Sequence, residues 1–498
     1  MLKPEEIKEL IDADRNSEKK QRAAIGQRYY DAKHDILQYR MFYYNEDGKL
    51  VEDTSSANAR IPHPFFMELA DQLAPYMLSF EENPIQAKLQ DPEAAADLQE
   101  LLEDYFDDDF WSEIGGLITG SYTKGIEYLY AFKDEDDRLT FQVADSMGVV
   151  EVREKDTDSG VACMLYWYVD RIEKGKKQII RIQEHTADAI TFYVQSGQDG
   201  RIMLDTSHPV NPRPNVVYTD AKGKKYGKGL GFIPFWPLPL NKKQISGLFP
   251  IKPIIDDYDL MKCGLSNNLQ DFDHPIYAVK GFEGNDFTEL AQNLRTKRMV
   301  GTGENGGVDI VTVTIPVEAR KANLAEDEKN IYRFGMGFNS SQVGDGNLTN
   351  VVIRSRYTLL DLKANKVEKQ LKKMLKKVVR VVLDEINAEH GTDYQPGDVE
   401  IKFKRVLPTN ESEDIENEYK KAQTKELQVN TILNVTANIG DEATLEAICD
   451  VMDWDLDKIK ASIEEAQKDT PEAAAALLEQ VVTDDEQEPE AGPAVPAG

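Results

Sequence analysis

Asp398, Glu400 and Lys402, in the run DVEIK, carry the Glu-x-Lys spacing with which some metal-dependent nucleases hold a cation and orient a water. The nearby Asp stands two residues earlier, and alternating polar residues on a half-exposed strand explain the run equally well, so a nuclease stands as the alternative from a different functional class. Gly301 to Gly306, GTGENG, matches a dinucleotide-loop pattern, but holding a pyrophosphate requires a helix N-terminus to follow. The strand-like GVDIVTVTI follows instead, so the run reads as a glycine turn. No G-x-x-x-x-G-K-[ST] occurs, which argues against a P-loop ATPase, and no G-x-S-x-G supports serine hydrolysis. The six histidines, His34, His63, His185, His208, His274 and His390, form no zinc-binding spacing. Cys163, Cys263 and Cys449 are too far apart for a disulfide framework or a zinc pattern, and a reducing compartment is the default. No cofactor and no metal are expected.

The elements that would position these residues follow from periodicity. Residues 5 to 40 and 62 to 80 show helical spacing, and Pro75 should kink or end the second helix. Glu81 to Phe110 holds 11 acids and one Lys on a helix-like segment, read as a solvated acidic face. From Tyr128 to about Tyr218 the period shifts toward two, in RLTFQVAD, GVVEVRE, CMLYWYVDR and AITFYVQ, predicting an antiparallel, partly exposed sheet. A proline-punctuated loop through Pro253 leads into a helix of some twenty residues. A short Gly-rich strand region runs to about Pro316, and a helical stretch covers Val317 to Phe338. The polar loop NSSQVGDGNLTN, Asn339 to Asn350, precedes the strongest periodic signal, Val351 to His390.

At about 100° per residue, Leu360, Ala364, Val367, Leu371, Met374, Leu375, Val378 and Val382 share one face of that last stretch. Lys366, Lys369, Lys373, Lys376, Lys377 and Arg380 share the other. An unbroken helix of this length would extend about 60 Å, which suggests a spanning or bracing element rather than a compact-core helix. Its basic stripe could touch DNA phosphates, though a solvated face or a partner for acidic surface explains it more simply. Ser412 to Lys468 reads as helical, and the final 28 residues, with seven acids and no Lys or Arg, as a disordered tail.

Composition narrows the function further. With 89 Asp and Glu against 59 Lys and Arg, the net charge is −30, which disfavours passive coating of nucleic acid, since that affinity comes from cations displacing counterions. At 41% apolar residues the chain can still build cores. The longest uncharged run, Leu427 to Gly440, has 14 residues, whereas a membrane span needs about 20. The N-terminal MLKPEEIKEL lacks the order of a signal peptide. On residues alone, the chain reads as an intracellular α+β scaffold without a visible active site.

Four stretches in order carry a resemblance to a known family: NARIPHPFFMELADQLAPYML from Asn58, GSYTKGIEYLYAF from Gly120, IPFWPLPLNKKQISGLFPIKPIIDDYDLMKCGLSNNLQDF from Ile233, and IYRFGMGFNSSQVGDGNLTNVVIRSRYTLLDLKANKVEKQ from Ile331. Together, over roughly residues 55 to 405, they resemble the portal protein of tailed bacteriophages, of the type found in siphophages of Gram-positive hosts. The resemblance implies a ring of about twelve subunits at one capsid vertex, the channel for packaging and ejection of double-stranded DNA, assembled in the host cytoplasm and resident in the virion. It implies no enzyme, because the packaging ATPase of this family is the separate terminase. Other implied partners are a head-completion or adaptor protein and capsid and scaffolding proteins, with no membrane. Another ring-forming virion connector or a minor capsid protein is the nearest alternative.

By resemblance, 1–250 and 351–408 would form the wing, 251–274 and 317–338 the stem helices, 275–316 the clip, 339–350 the tunnel loop, 409–470 a helical crown, and 471–498 an acidic tail without a counterpart. The DNA-facing loop residues would be Ser340, Ser341, Gln342, Asn347, Thr349 and Asn350. The clip would offer Asn293, Arg295, Lys297, Arg298 and Glu304 to partners.

Overall fold

The computed structural model describes residues 1–133, 138–154, 160–173, 177–197, 200–219, 225–271, 276–280, 306–311, 315–339, 350–406, 411–452 and 454–469. The chain divides into two compact units, one of residues 1–346 with 354–407, the other of 347–353 with 408–498.

The larger unit mixes helices with antiparallel sheet, as the change of period predicts. Its long helix, Asn350–His390, carries all eight predicted apolar positions buried and all six predicted cations exposed. The half of the expectation that kept this helix out of a compact core is wrong. The apolar face continues through Val379, Leu383 and Ile386, and it joins the largest core of the molecule, with Phe66, Leu69, Leu73, Leu98, Leu102, Ile114 and Ile118. Polar contacts run along the same helix. Tyr76 donates to Asp361 (3.2 Å), Lys133 pairs with Glu385, and Tyr105 donates to Glu389. A long helix still becomes core when four shorter ones share its apolar face, because each shorter helix has its own apolar stripe to bury.

Those shorter helices are Phe65–Asp71 with Leu73–Met77, Pro92–Tyr105 and Asp108–Lys124. The first pair is interrupted at Gln72, three residues before Pro75, where the proline ring would meet the carbonyl four residues back. Pro75 then sits in the first turn of the next helix, where its missing N–H costs nothing. Asp107 caps the Asp108–Lys124 helix by accepting from Phe110 N (2.9 Å), and Gly125 ends it with φ +94°. A Cβ at Gly125 would stand 2.3 Å from the Gln244 carbonyl oxygen, so only glycine closes this turn. The acidic stretch 81–110 is only partly helical. Ile85–Ala87 is a strand that pairs with Val399–Ile401, far away in sequence.

Against the core lies a three-stranded sheet in the order Phe235–Pro239, Ile126–Lys133, Leu139–Ala144. A second sheet runs Ile202–Leu204, Ala189–Ser196, Lys177–His185, Val161–Glu173, Val149–Arg153, with Arg213–Pro214 also pairing to Ala189–Ser196. Lys177–His185 is a further strand inside the predicted 128–218 stretch. One face of this sheet buries Val150, Leu165, Ile180, Ile182 and Tyr193 against Ile7 and Ile11 of the N-terminal helix Pro4–Arg15.

Two further helices of this unit, Lys252–Asp271 and Val317–Phe334, pack on each other. The second ends four residues before the predicted Phe338, because Gly335, Met336 and Gly337 turn the chain. Between the two helices in sequence, Ile276–Lys280 pairs with Gly307–Val311, so the GTGENG run leads into a strand and not a helix. In the smaller unit, Glu411–Ile439, Asp441–Met452 and Leu456–Asp469 confirm the helical reading. Among the described residues no helix is long and apolar enough to cross a membrane.

Candidate functional site

Residues 340–349 lie outside the described residues, and with them Ser340, Ser341, Gln342, Asn347 and Thr349; Asn350 opens the long helix. Asn293, Arg295, Lys297, Arg298, Glu304 and the tail from Pro471 lie outside as well. The described residues next to the 340–349 segment are Gly335 to Asn339 and the long helix.

Gly335 to Asn339 form its N-terminal root. Gln72 grips Phe338 twice, donating from Nε2 to the carbonyl (2.8 Å) and accepting its N–H at Oε1 (2.9 Å). The Phe338 ring stacks on Tyr357 of the long helix at 4.6 Å between centroids, and Tyr357 stacks in turn on Tyr76 at 5.8 Å. Asn339 donates to Glu328 (3.0 Å). Gly337 lies so close to Leu69 that a Cβ would stand 2.0 Å from its Cδ2. Between the glycines, Met336 is held at φ +53°, a left-handed conformation that costs a non-glycine residue about 1 kcal/mol and persists only where surrounding contacts impose it.

Beneath this root sits Lys363, buried to 6% exposure. Its Nζ donates to the Gly335 carbonyl (3.1 Å) and lies 3.5 Å from both the Leu69 carbonyl and the Tyr122 hydroxyl, over the Tyr122 ring at 4.5 Å. Burial drives its ammonium down to about 7. Lys363 was missed in the sequence although a signal existed: it falls between Leu360 and Val367 on the apolar face, where a cation is out of place.

The Lys252–Asp271 helix is fastened differently. Residues 57–63 lie extended along it, and alternate backbone N–H groups meet acceptors four residues apart. Ala57 N reaches Asp271 (2.9 Å), Ala59 N reaches Asn267 (2.7 Å), Ile61 N reaches Cys263 Sγ (3.3 Å), and His63 N reaches Asp259 (2.9 Å). Two extended residues advance about 6.6 Å and four helical residues 6.0 Å, so the two periods stay in step over three repeats. At the last rung Asp259 also meets His34 Nδ1 (2.6 Å) and His63 Nδ1 (2.8 Å). Because a carboxylate only accepts, both Nδ1 atoms carry protons. Burial pushes the Asp259 carboxyl up, but the bonds from His34 and His63 outweigh it and hold it below the ordinary range.

The partner helix meets this one through an aromatic knot. Phe65 stands edge-on to Tyr258 (4.8 Å) and Tyr332 (6.1 Å), and His63 edge-on to Tyr258 (5.0 Å). Tyr332 donates to Glu68. Asp327 faces Asp257 across the pair, and burial followed by the Asp257 charge raises its carboxyl.

Asp398, Glu400 and Lys402 do not build a metal centre. The Asp398 carboxylate accepts from Gln395 N (2.8 Å) in a tight turn, while Glu400 pairs with Lys402 and reaches Lys88 (3.9 Å). Among the described residues no group of three or more His, Cys, Asp or Glu is arranged to hold a metal ion.

The comparisons show to which family helices fastened in this way belong. The family model described as "Phage portal protein, SPP1 Gp6-like" matches residues 10–469. The portal protein of Bacillus phage SPP1 is 25% identical over 481 residues, covering 95% of this chain and 90% of the relative. The portal protein of Clostridium phage phiCD119 is 24% identical over 423 residues, covering 82% and 88%. The chain belongs to the SPP1 Gp6-like family of phage portal proteins.

Proposed function

We propose that about twelve copies of this chain form a ring at one capsid vertex, enclosing the channel through which double-stranded DNA is packaged and later ejected. In this reading 1–250 and 351–408 are the wing, 251–274 and 317–338 the stem, 275–316 the clip and 409–470 the crown. The terminase motor docks at the clip, a head-completion or adaptor protein follows it there, and capsid and scaffolding proteins surround the ring. The chain itself does no catalysis.

The observation that carries the reading is the path of the chain through Lys252–Asp271, out to the Ile276–Lys280 and Gly307–Val311 hairpin, back through Val317–Phe334, and straight into a pinned loop root backed by a 41-residue helix. A segment that rubs against moving DNA needs a stiff base. The segment 340–349 is polar with one charge, Asp345, so it offers hydrogen bonds to a passing phosphate without ion pairing, and a net charge of −30 weakens any lasting grip.

Replacing Ser341, Gln342 and Asn347 together with Lys should leave rings intact and stall packaging in a salt-dependent way, because three new cations per copy would clamp the duplex. In vitro packaging with purified rings measures this. Normal packaging at low salt by intact triple-variant rings would remove the segment from the DNA path.

A further inference from the structure

Lys363 is an unusual core residue, and the contacts around it give it a task. Buried cations are ordinarily paired with carboxylates. Here the three oxygens nearest Nζ are two backbone carbonyls and a phenol, each on a different element: Leu69 on Phe65–Asp71, Tyr122 on Asp108–Lys124, and Gly335 at the turn after Val317–Phe334. On those elements Asp71 accepts from Tyr30, Glu113 accepts from the Val143 N–H, and Lys124 pairs with Glu127 and Asp145. Glu68 accepts from Tyr332, and Asp361 on the long helix takes Arg405 at 2.6 Å. Burial pushes the Tyr122 phenol further above its ordinary value, so it stays protonated and offers no counter-charge.

We propose that Lys363 is the positioning residue for the root of the 340–349 segment, holding the Gly335 carbonyl in its neutral form and loosening that hold when it gains a proton. The second half follows from burial without a counter-charge. Closed, the site disfavours the ammonium; opened, the amine is hydrated and regains its ordinary affinity for a proton. Protonation therefore favours whichever state exposes Nζ. The lowered value near 7 agrees with this, and the sign follows: between about pH 7 and 10 the open state binds more protons than the closed one, so opening becomes rarer as pH rises. The strain at Met336 and the close approach of Gly335 and Gly337 to Leu69 make this turn the place where an opening would begin. That the loosened root changes how DNA is met rests on the portal reading; the opening itself does not.

Hydrogen–deuterium exchange of the full chain reads the opening directly. The amides of Gly335, Gly337 and Phe338 are all hydrogen-bonded in the closed turn, to Ile331, Tyr332 and Gln72. After correction for base-catalysed exchange, their opening constant should fall with rising pH by up to about tenfold per unit above pH 7, and level off below it. In Lys363→Met the corrected profile should be flat. In Tyr122→Phe, which removes one acceptor from the ammonium, the levelling should move to lower pH. A flat wild-type profile would overturn the proposal without any variant, and so would a Lys363→Met variant that keeps the wild-type slope or a Tyr122→Phe variant that levels off where wild type does. Because neither rings nor DNA are needed, failure here leaves the portal reading standing, and failure of ring assembly leaves this result standing.

Discussion

Asp259 binds three N–H donors with one side chain, and removing its charge should be felt far from the helix that carries it. The carboxylate ties the Lys252–Asp271 helix to the His34 region and to the extended run at His63. Asp259→Asn keeps the shape and loses the charge, so two imidazole N–H groups face an amide, at a cost of about 3 kcal/mol near neutral pH. Since its folded carboxyl lies below its unfolded one, the stabilisation is complete above the ordinary carboxylate range and disappears as pH falls through the folded value. Urea unfolding at several pH values should show wild type losing this stability on acidification and Asp259→Asn lacking that slope; equal slopes would mean the histidines do not depend on the charge. The sequence contains these residues but not their meeting, because the partners of Asp259 lie about two hundred residues away. Lys363 is the opposite case, legible as a lone cation on an apolar face and passed over because the face as a whole was so regular.

Elements whose pattern is local were the legible ones. The long helix shows because eight apolar positions repeat along one face, and the Lys252–Asp271 helix because proline marks its start. Where partners are remote the signal vanished: Ile85–Ala87 is three residues long and pairs with Val399–Ile401, and the acceptor spacing of Asp259, Cys263, Asn267 and Asp271 means nothing until residues 57–63 lie beside it. One further element leaves its apolar side chains uncovered. The hairpin Phe42–Tyr44 with Leu50–Glu52 exposes every residue, Tyr44 to 74% and Phe42 to 55%. A two-stranded hairpin is marginal alone in water. Leu260 and Leu269 of the Lys252–Asp271 helix and Phe334 of its partner are exposed too, and in the proposed ring a neighbouring copy would cover them. Tyr43→Lys with Tyr44→Lys should weaken self-association at least tenfold by sedimentation while leaving the monomer's melting temperature within about 2 °C. Unchanged association would place the hairpin outside the contact between copies.

At the scale of the whole molecule, the proposed ring has to reconcile a charge of −30 per copy with an assembly of many copies. Like charges around a ring repel, so what holds it must be apolar area and shape, which screening by salt assists. The same charge keeps a DNA channel from becoming a trap. Composition disfavoured a nucleic-acid coat and the missing G-x-x-x-x-G-K-[ST] spoke against a P-loop ATPase, while the family emerged only from four stretches taken in order. The central claim is the ring, and imaging purified full-length protein by negative-stain electron microscopy at moderate salt tests it most directly. The account predicts rings of about twelve copies with an axial hole; a uniform population of monomers or compact dimers, persisting across micromolar concentrations after time for slow assembly, would contradict it.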